Sequence, residues 1–132
     1  MVWIQNADLT LTTVGTNTTV NVKYTALVNP LERHMCAKGM LLGESIAIMG
    51  MDPEGSYTGT IIRYFPTSYL PVTDGTVNQS IARNLSITVT RASLNEDTGL
   101  GDNDEIRCKI RIYPVYLPVE AIGWTDQEIL VG

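Results

Sequence analysis

Asn95-Glu96-Asp97-Thr98-Gly99-Leu100-Gly101-Asp102-Asn103-Asp104, with Glu105 directly after, is the densest run of metal-capable oxygen donors in the chain. A calcium loop of the EF-hand kind places ligands at positions 1, 3 and 5, a glycine at 6 and an acid at 12. Counted from Asp102, the sixth and twelfth places fall on Arg107 and Tyr113; counted from Asn95, they fall on Leu100 and Ile106. Neither register fits. An irregular oxygen cage from Glu96, Asp97, Asp102 and Asp104 is the remaining metal reading, and a solvated connector between two strands is the simpler one. We therefore assign no metal site and no cofactor to the sequence.

Other chemistry is sparser. His34 is the sole histidine, which excludes a His-rich zinc site. His34 and Cys36 lie two apart on a segment read as helical, so their side chains diverge by about 200°. A Cys–His nucleophile pair would need Cys108 brought beside His34 from far along the chain, and nothing in the sequence argues for that. Glu44, Glu120 and Glu128 are the carboxylates with apolar neighbours that a glycosidase-like acid would need, but each reads more simply as a strand-end or surface residue. No glycine-rich phosphate loop is present. No catalytic residue is assigned, and the expectation is a protein that is not an enzyme.

Aromatic residues fall in two groups beside prolines. Tyr57, Tyr64, Phe65 and Tyr69 lie around Pro66 and Pro71, and Tyr113, Tyr116 and Trp124 around Pro114 and Pro118. They suit a sugar-stacking platform, an interface patch or a core plug.

The elements that would position these groups are mainly strands. Val20, Val22, Tyr24, Ala26 and Val28 alternate with more polar residues, giving one buried face, and Leu9–Thr12 before them reads as the other arm of a hairpin. Ser45–Met51 reads as a strand buried on both faces, and Tyr57–Phe65 as another, weakened by Gly59. Residues 66–78, with two prolines and Asp74-Gly75, read as loop or edge. Leu85, Ile87 and Val89, and then Ile106, Cys108, Ile110 and Ile112, mark two strands with clean apolar faces; paired antiparallel, both would face one core. Asn29-Pro30-Leu31-Glu32 is a helix start with a capping box, and Lys38-Gly39 a stop. This predicts one short helix over about residues 30–38 with Leu31, His34 or Met35, and Leu42 beyond it, turned inward. Thr125 and Glu128 are read as capping a last helical turn.

The expected fold is mainly β: an antiparallel β-sandwich or barrel-like (jelly-roll-type) domain spanning residues 1–132, with one short helix. The composition fits it. Charged residues are 17% of the chain, low for a globular domain, and threonine and asparagine take their place. With net charge −5 the chain lacks the basic footprint of a nucleic-acid partner or an anionic membrane surface. It has no apolar run long enough for a membrane span and no evident signal peptide at its start. Two cysteines are too few for a disulfide framework.

Both chain ends are apolar where termini are usually polar and frayed. Residues 1–8 and 114–132 are therefore read as assembly arms, with Trp3, Ile4, Tyr116, Trp124, Ile129, Leu130 and Val131 as candidate interface residues. The low charge and Thr/Asn-rich strands broadly resemble small β-proteins that decorate, connect or build tailed-phage particles and other self-assembled shells. The resemblance is to a class and implies a structural subunit of a virion or similar particle, assembled in the cytoplasm from copies of itself or with other subunits. The alternative is a carbohydrate- or ligand-binding β-sandwich module.

Overall fold

A computed structural model describes residues 1–51, 59–94, 104–115 and 120–130. Strand β1 (Trp3–Val14) turns through Gly15 into β2 (Asn17–Val28), helix α1 spans Pro30–Ala37, and β3 covers Leu42–Met51. Then come β4 (Gly59–Tyr64), the two-residue β5 (Ser68–Tyr69), β6 (Gln79–Thr90), a short α2 (Arg91–Leu94), β7 (Asp104–Pro114), β8 (Ala121–Trp124) and β9 (Glu128–Leu130). Two antiparallel sheets form. The smaller has the order β1-β2-β6; the larger runs β4-β3-β7-β8, with β5 also on β3 and β9 also on β7. The chain is thus the open sandwich of the two expected alternatives, not a closed barrel.

Alternation dictates the core. Val20, Val22, Tyr24, Ala26 and Val28 are all buried, as are Ile106, Cys108, Ile110 and Ile112. The two late strands do not pair with each other: β6 pairs with β2 in the smaller sheet and β7 with β3 in the larger. Their apolar faces meet across the sandwich instead of side by side, because alternation fixes which face is buried but not which sheet a strand joins. Strand β3 is buried on nearly its whole length, as its continuous apolar run implies.

Helix α1 begins as the capping box requires. Asn29 Oδ1 accepts from the Glu32 N–H at 2.8 Å, and Glu32 Oε1 accepts from the Asn29 N–H at 3.2 Å. Its inward face differs from the expected one. Leu31, His34 and Met35 are exposed, while Glu32, Arg33 and Cys36 turn in. The reason is polar: the Arg33 guanidinium donates to the carbonyls of Thr73, Asp74 and Val77 at 2.7–2.8 Å, tying the helix to the irregular 66–78 segment.

The tail is also strand where a helical turn is expected. Thr125 is buried and continues the edge of β8: its N–H donates to the Cys108 carbonyl at 3.0 Å, and its Oγ1 accepts from the Cys108 N–H at 2.8 Å. A threonine hydroxyl committed to a strand cannot also cap a helix. Most of the described residues of 1–8 and 114–132 lie in strands of the two sheets. β1 is paired to β2 from Trp3 onward, and β8 and β9 are paired to β7. Cys36 and Cys108 are free thiols.

Candidate assembly interface

The outer faces of the two sheets carry different chemistry. On the smaller sheet the outward positions are polar and laced together: Asn21 Nδ2 donates to Asn84 Oδ1 and to Ser86 Oγ, both at 2.7 Å, and the Thr19 and Thr88 hydroxyls lie 3.1 Å apart. This is where the threonine and asparagine of the composition go.

The larger sheet is apolar and cationic outside. Ala47, Met49 and Met51 project outward from β3 yet are buried, with Trp124 packed against them. Directly opposite Ala47 and Met49 on β4 stand Tyr64 and Ile61, both about half exposed. On β7 the outward row is Arg107, Lys109 and Arg111. Lys109 Nζ sits 5.4 Å from the Trp124 ring centroid, and the Arg111 guanidinium 5.7 Å from that of Tyr113. Arg111 Nε also donates to Glu120 at 2.7 Å. Lys109 and Arg111 thus lie over aromatic rings of this face, whereas Arg107 is buried.

Several of the predicted interface residues lie on the strands that meet where β1 of the smaller sheet touches β8 and β9 of the larger. Ile4 of β1 packs on Gly123 of β8; a Cβ at 123 would lie 2.6 Å from Ile4 Cγ2, so glycine is what lets the two sheets touch here. The N–H of Leu9 donates to Asp126 Oδ1 at 2.8 Å and fastens the same seam. Because Ile4 points in, Trp3 points out, and it is 63% exposed. Ile122, opposite Arg111, and Ile129, opposite Glu105, are 46% and 48% exposed. Trp3 and Ile129 are therefore available to a partner. Trp124 is half-buried beneath Lys109, and Leu130 is only 4% exposed and belongs to the core, because its place on β9 turns it inward. Tyr116 and Val131 lie outside the described residues, as does the 95–103 part of the acidic loop. Ile122 was missed in the sequence because the prolines at 114 and 118 mask the in–out alternation of Ala121-Ile122-Gly123-Trp124.

A second polar cluster was missed altogether. Glu44, read from sequence as a strand-end or surface residue, is 1% exposed. It sits inside β3, directly opposite Ser68 of β5, while across the sandwich Tyr24 of β2 stands directly opposite Arg83 of β6. The four side chains converge. Glu44 Oε2 accepts from the Tyr24 hydroxyl and from Arg83 Nε at 2.9 Å; Oε1 accepts from Ser68 Oγ at 2.5 Å and Arg83 Nη2 at 2.9 Å. Burial pushes the carboxyl up, but the hydrogen bonds from Arg83, Ser68 and Tyr24 outweigh it and hold its pKa below the usual range. Burial, then the Glu44 carboxylate, raises the Tyr24 phenol. A carboxylate with four donors has no lone pair left for a substrate proton. The cluster is a clamp between sheets. A sequence signal existed: Glu44 is the lone charge in an apolar run, and Arg83 occupies an inward position of an alternating strand.

Among the described residues no group of three or more His, Cys, Asp and Glu side chains is placed to hold a metal, and no helix is long and apolar enough to cross a membrane. No family model, curated protein or solved structure matches the chain.

Proposed function

We propose that the chain is a non-enzymatic structural subunit of a self-assembling particle, a virion component such as a capsid, decoration or tail protein, packing against copies of itself or against neighbouring subunits. The observation that carries this reading is Trp3. A tryptophan left 63% exposed on β1, next to an Ile4 that is seated on Gly123 across a seam also fixed by Asp126, is a rigid apolar anchor on a rigid support; Ile122 and Ile129 add half-exposed apolar side chains on the other sheet. Aromatic anchors with low conformational entropy carry much of the energy of protein interfaces. The saturated state of Glu44 supports the absence of chemistry at the one buried carboxylate cluster described. Sedimentation velocity of the wild type and of Trp3→Ser/Ile129→Ser tests it. The expected result is a species heavier than one chain that loses mass in the variant; a monomer in both cases refutes the proposal.

Tyr64 and Tyr69 favour a second reading as a glycan-binding module. They flank β3 at Ala47 and Gly43 and are both more than half exposed. Four residues of strand separate them by about 13 Å, a span suited to stacking on an oligosaccharide. Titration with glycans that leaves tyrosine and tryptophan emission unchanged eliminates it.

A further inference from the structure

Open sheet edges invite pairing with other chains, and proteins normally guard them with bulges, prolines, charges or covering elements. The edges described here are guarded in this way, with one exception. β1 has a bulge between Gln5 and Asp8, with Asn6 at φ 55°, and is fastened to the β8–β9 seam through Asp126. β4 is six residues long and its register with β3 is broken between Ile48 and Met49. β8 and β9 are four and three residues long.

Among the described residues β6 has none of these protections. It runs 12 residues, Gln79 to Thr90, in unbroken register with β2, and among the described residues no strand lies on its other side. It contains no proline and no lysine, and its one charge, Arg83, is turned inward onto Glu44. The outward side chains Ser80, Ala82, Asn84, Ser86, Thr88 and Thr90 are all neutral and exposed. Beside this edge the sandwich gapes. A groove of about 360 Å³ runs between β6 and the β4–β5 connection, lined by Phe65, Pro66, Ser68, Arg83, Leu85 and Ile87. Leu85 and Ile87, though on the core face, are only half-buried.

We infer that β6 pairs antiparallel with β6 of a second copy about a two-fold axis perpendicular to the smaller sheet, near Leu85. Such an axis keeps the core faces of both copies on one side, so inward residues must meet inward residues. With Leu85 on the axis, Leu85 meets its own counterpart, Ile81 meets Val89, and Arg83 meets Ile87. On the outer face Asn84 meets Ser86 and Ala82 meets Thr88. No like charges stand opposite each other, although the chain as a whole carries −5. That electrostatic fit selects a second copy as occupant: this neutral strip is where two acidic chains can approach without repulsion. The two three-stranded sheets then become one six-stranded sheet, and the exposed sides of Leu85 and Ile87 are covered. The pairing deepens the structural-subunit reading and uses a surface separate from the Trp3 corner, so a chain could make both contacts at once.

The test is Asn84→Lys/Ser86→Lys, which sets lysines opposite lysines across the axis while changing only exposed side chains. Thr10→Lys/Thr12→Lys on β1 is the control. At about 100 µM, the wild type and the control are expected to sediment with a β6-dependent contact, and the β6 variant with half the mass of the smallest wild-type oligomer. Hydrogen exchange of the wild type, which needs no variant to fold, should show alternate β6 amides slowing as concentration rises. If those amides exchange at one fast rate at every concentration, the pairing is wrong even if assembly through Trp3 persists. If Trp3→Ser/Ile129→Ser dissociates the wild-type species and the β6 variant does not, the inference fails and the structural reading stands. The reverse pattern keeps the pairing and moves the functional surface to β6. A wild type monomeric throughout overturns both.

Discussion

Replacing Glu44 with glutamine should cost the fold about 3 kcal/mol. The two carboxylate oxygens take four hydrogen bonds from Tyr24, Ser68 and Arg83. Glutamine keeps one oxygen and replaces the other with an N–H₂ group that faces donors, so at least two of the four bonds are lost. Breaking a buried ion pair from one side costs about 3–5 kcal/mol, because the remaining charge is stranded. Arg83 is 21% exposed on its side chain and can partly turn to water through the adjoining groove, which places the expected cost at the lower end. For a domain of this size that is a fall in melting temperature on the order of 10 °C. Urea unfolding followed by circular dichroism measures it. The companion experiment is Glu44→Leu with Arg83→Met, which removes both charges; it should recover most of the loss, since paired buried ions can be replaced by apolar groups at little net cost. A Glu44→Gln variant within about 0.5 kcal/mol of the wild type would refute the clamp, because that is the range of substitutions away from any such feature.

Asn29→Ala removes one half of the capping box and should destabilise by about 1 kcal/mol in the same urea assay, whereas Asn29→Ser should restore most of it. Glu44 and Glu128 should give opposite pH signatures. The Glu44 pKa is lowered, so its stabilising contribution is complete above the unfolded-chain value and drains away as pH falls through the folded one; the Glu44→Gln penalty should shrink in acid. The Glu128 pKa is raised, by its hydrogen bond with Asp126, by burial and by the charges of Asp126 and Asp8, so its favourable contribution is complete at low pH and lost as pH rises through the folded value; Glu128→Gln should stabilise near neutrality and make no difference in acid. Burial pushes the Cys108 thiol up to about 12, with the Asp126 charge adding to it, so a thiol reagent at neutral pH should label Cys36 in the native protein and Cys108 only after unfolding.

Strands and helix were legible wherever one physical signal acted alone. The in–out alternation of Val20–Val28 and Ile106–Ile112, and the Asn29-Pro30-Leu31-Glu32 start, depend only on local chain geometry, and they form as read. Signals failed where a residue's partner was distant in sequence. The parity of Leu85 and Ile106 fixes a buried face, but the choice between β2 and β3 as neighbour is made by the whole sandwich. Glu44 looks like a surface acid until Arg83 and Tyr24 arrive from the other sheet. Leu31 and Met35 look like a helix's core face until Arg33 finds the carbonyls of Thr73, Asp74 and Val77, 40 to 44 residues away. In the candidate interface, Trp3 and Ile129 were legible as apolar residues without an evident core role. Leu130 was not separable from Ile129 by sequence, since a three-residue strand offers too little alternation to assign parity.

The proposal that the Trp3 corner is covered by neighbouring subunits has a direct optical test. In a Trp124→Phe background, Trp3 is the sole tryptophan. Its emission maximum and its quenching by acrylamide are followed as the protein is concentrated from dilute monomer into its assembled form. A blue shift and a several-fold drop in quenching that track the rise in mass are the expected result. A particle that forms while Trp3 stays as accessible as in the monomer would contradict it.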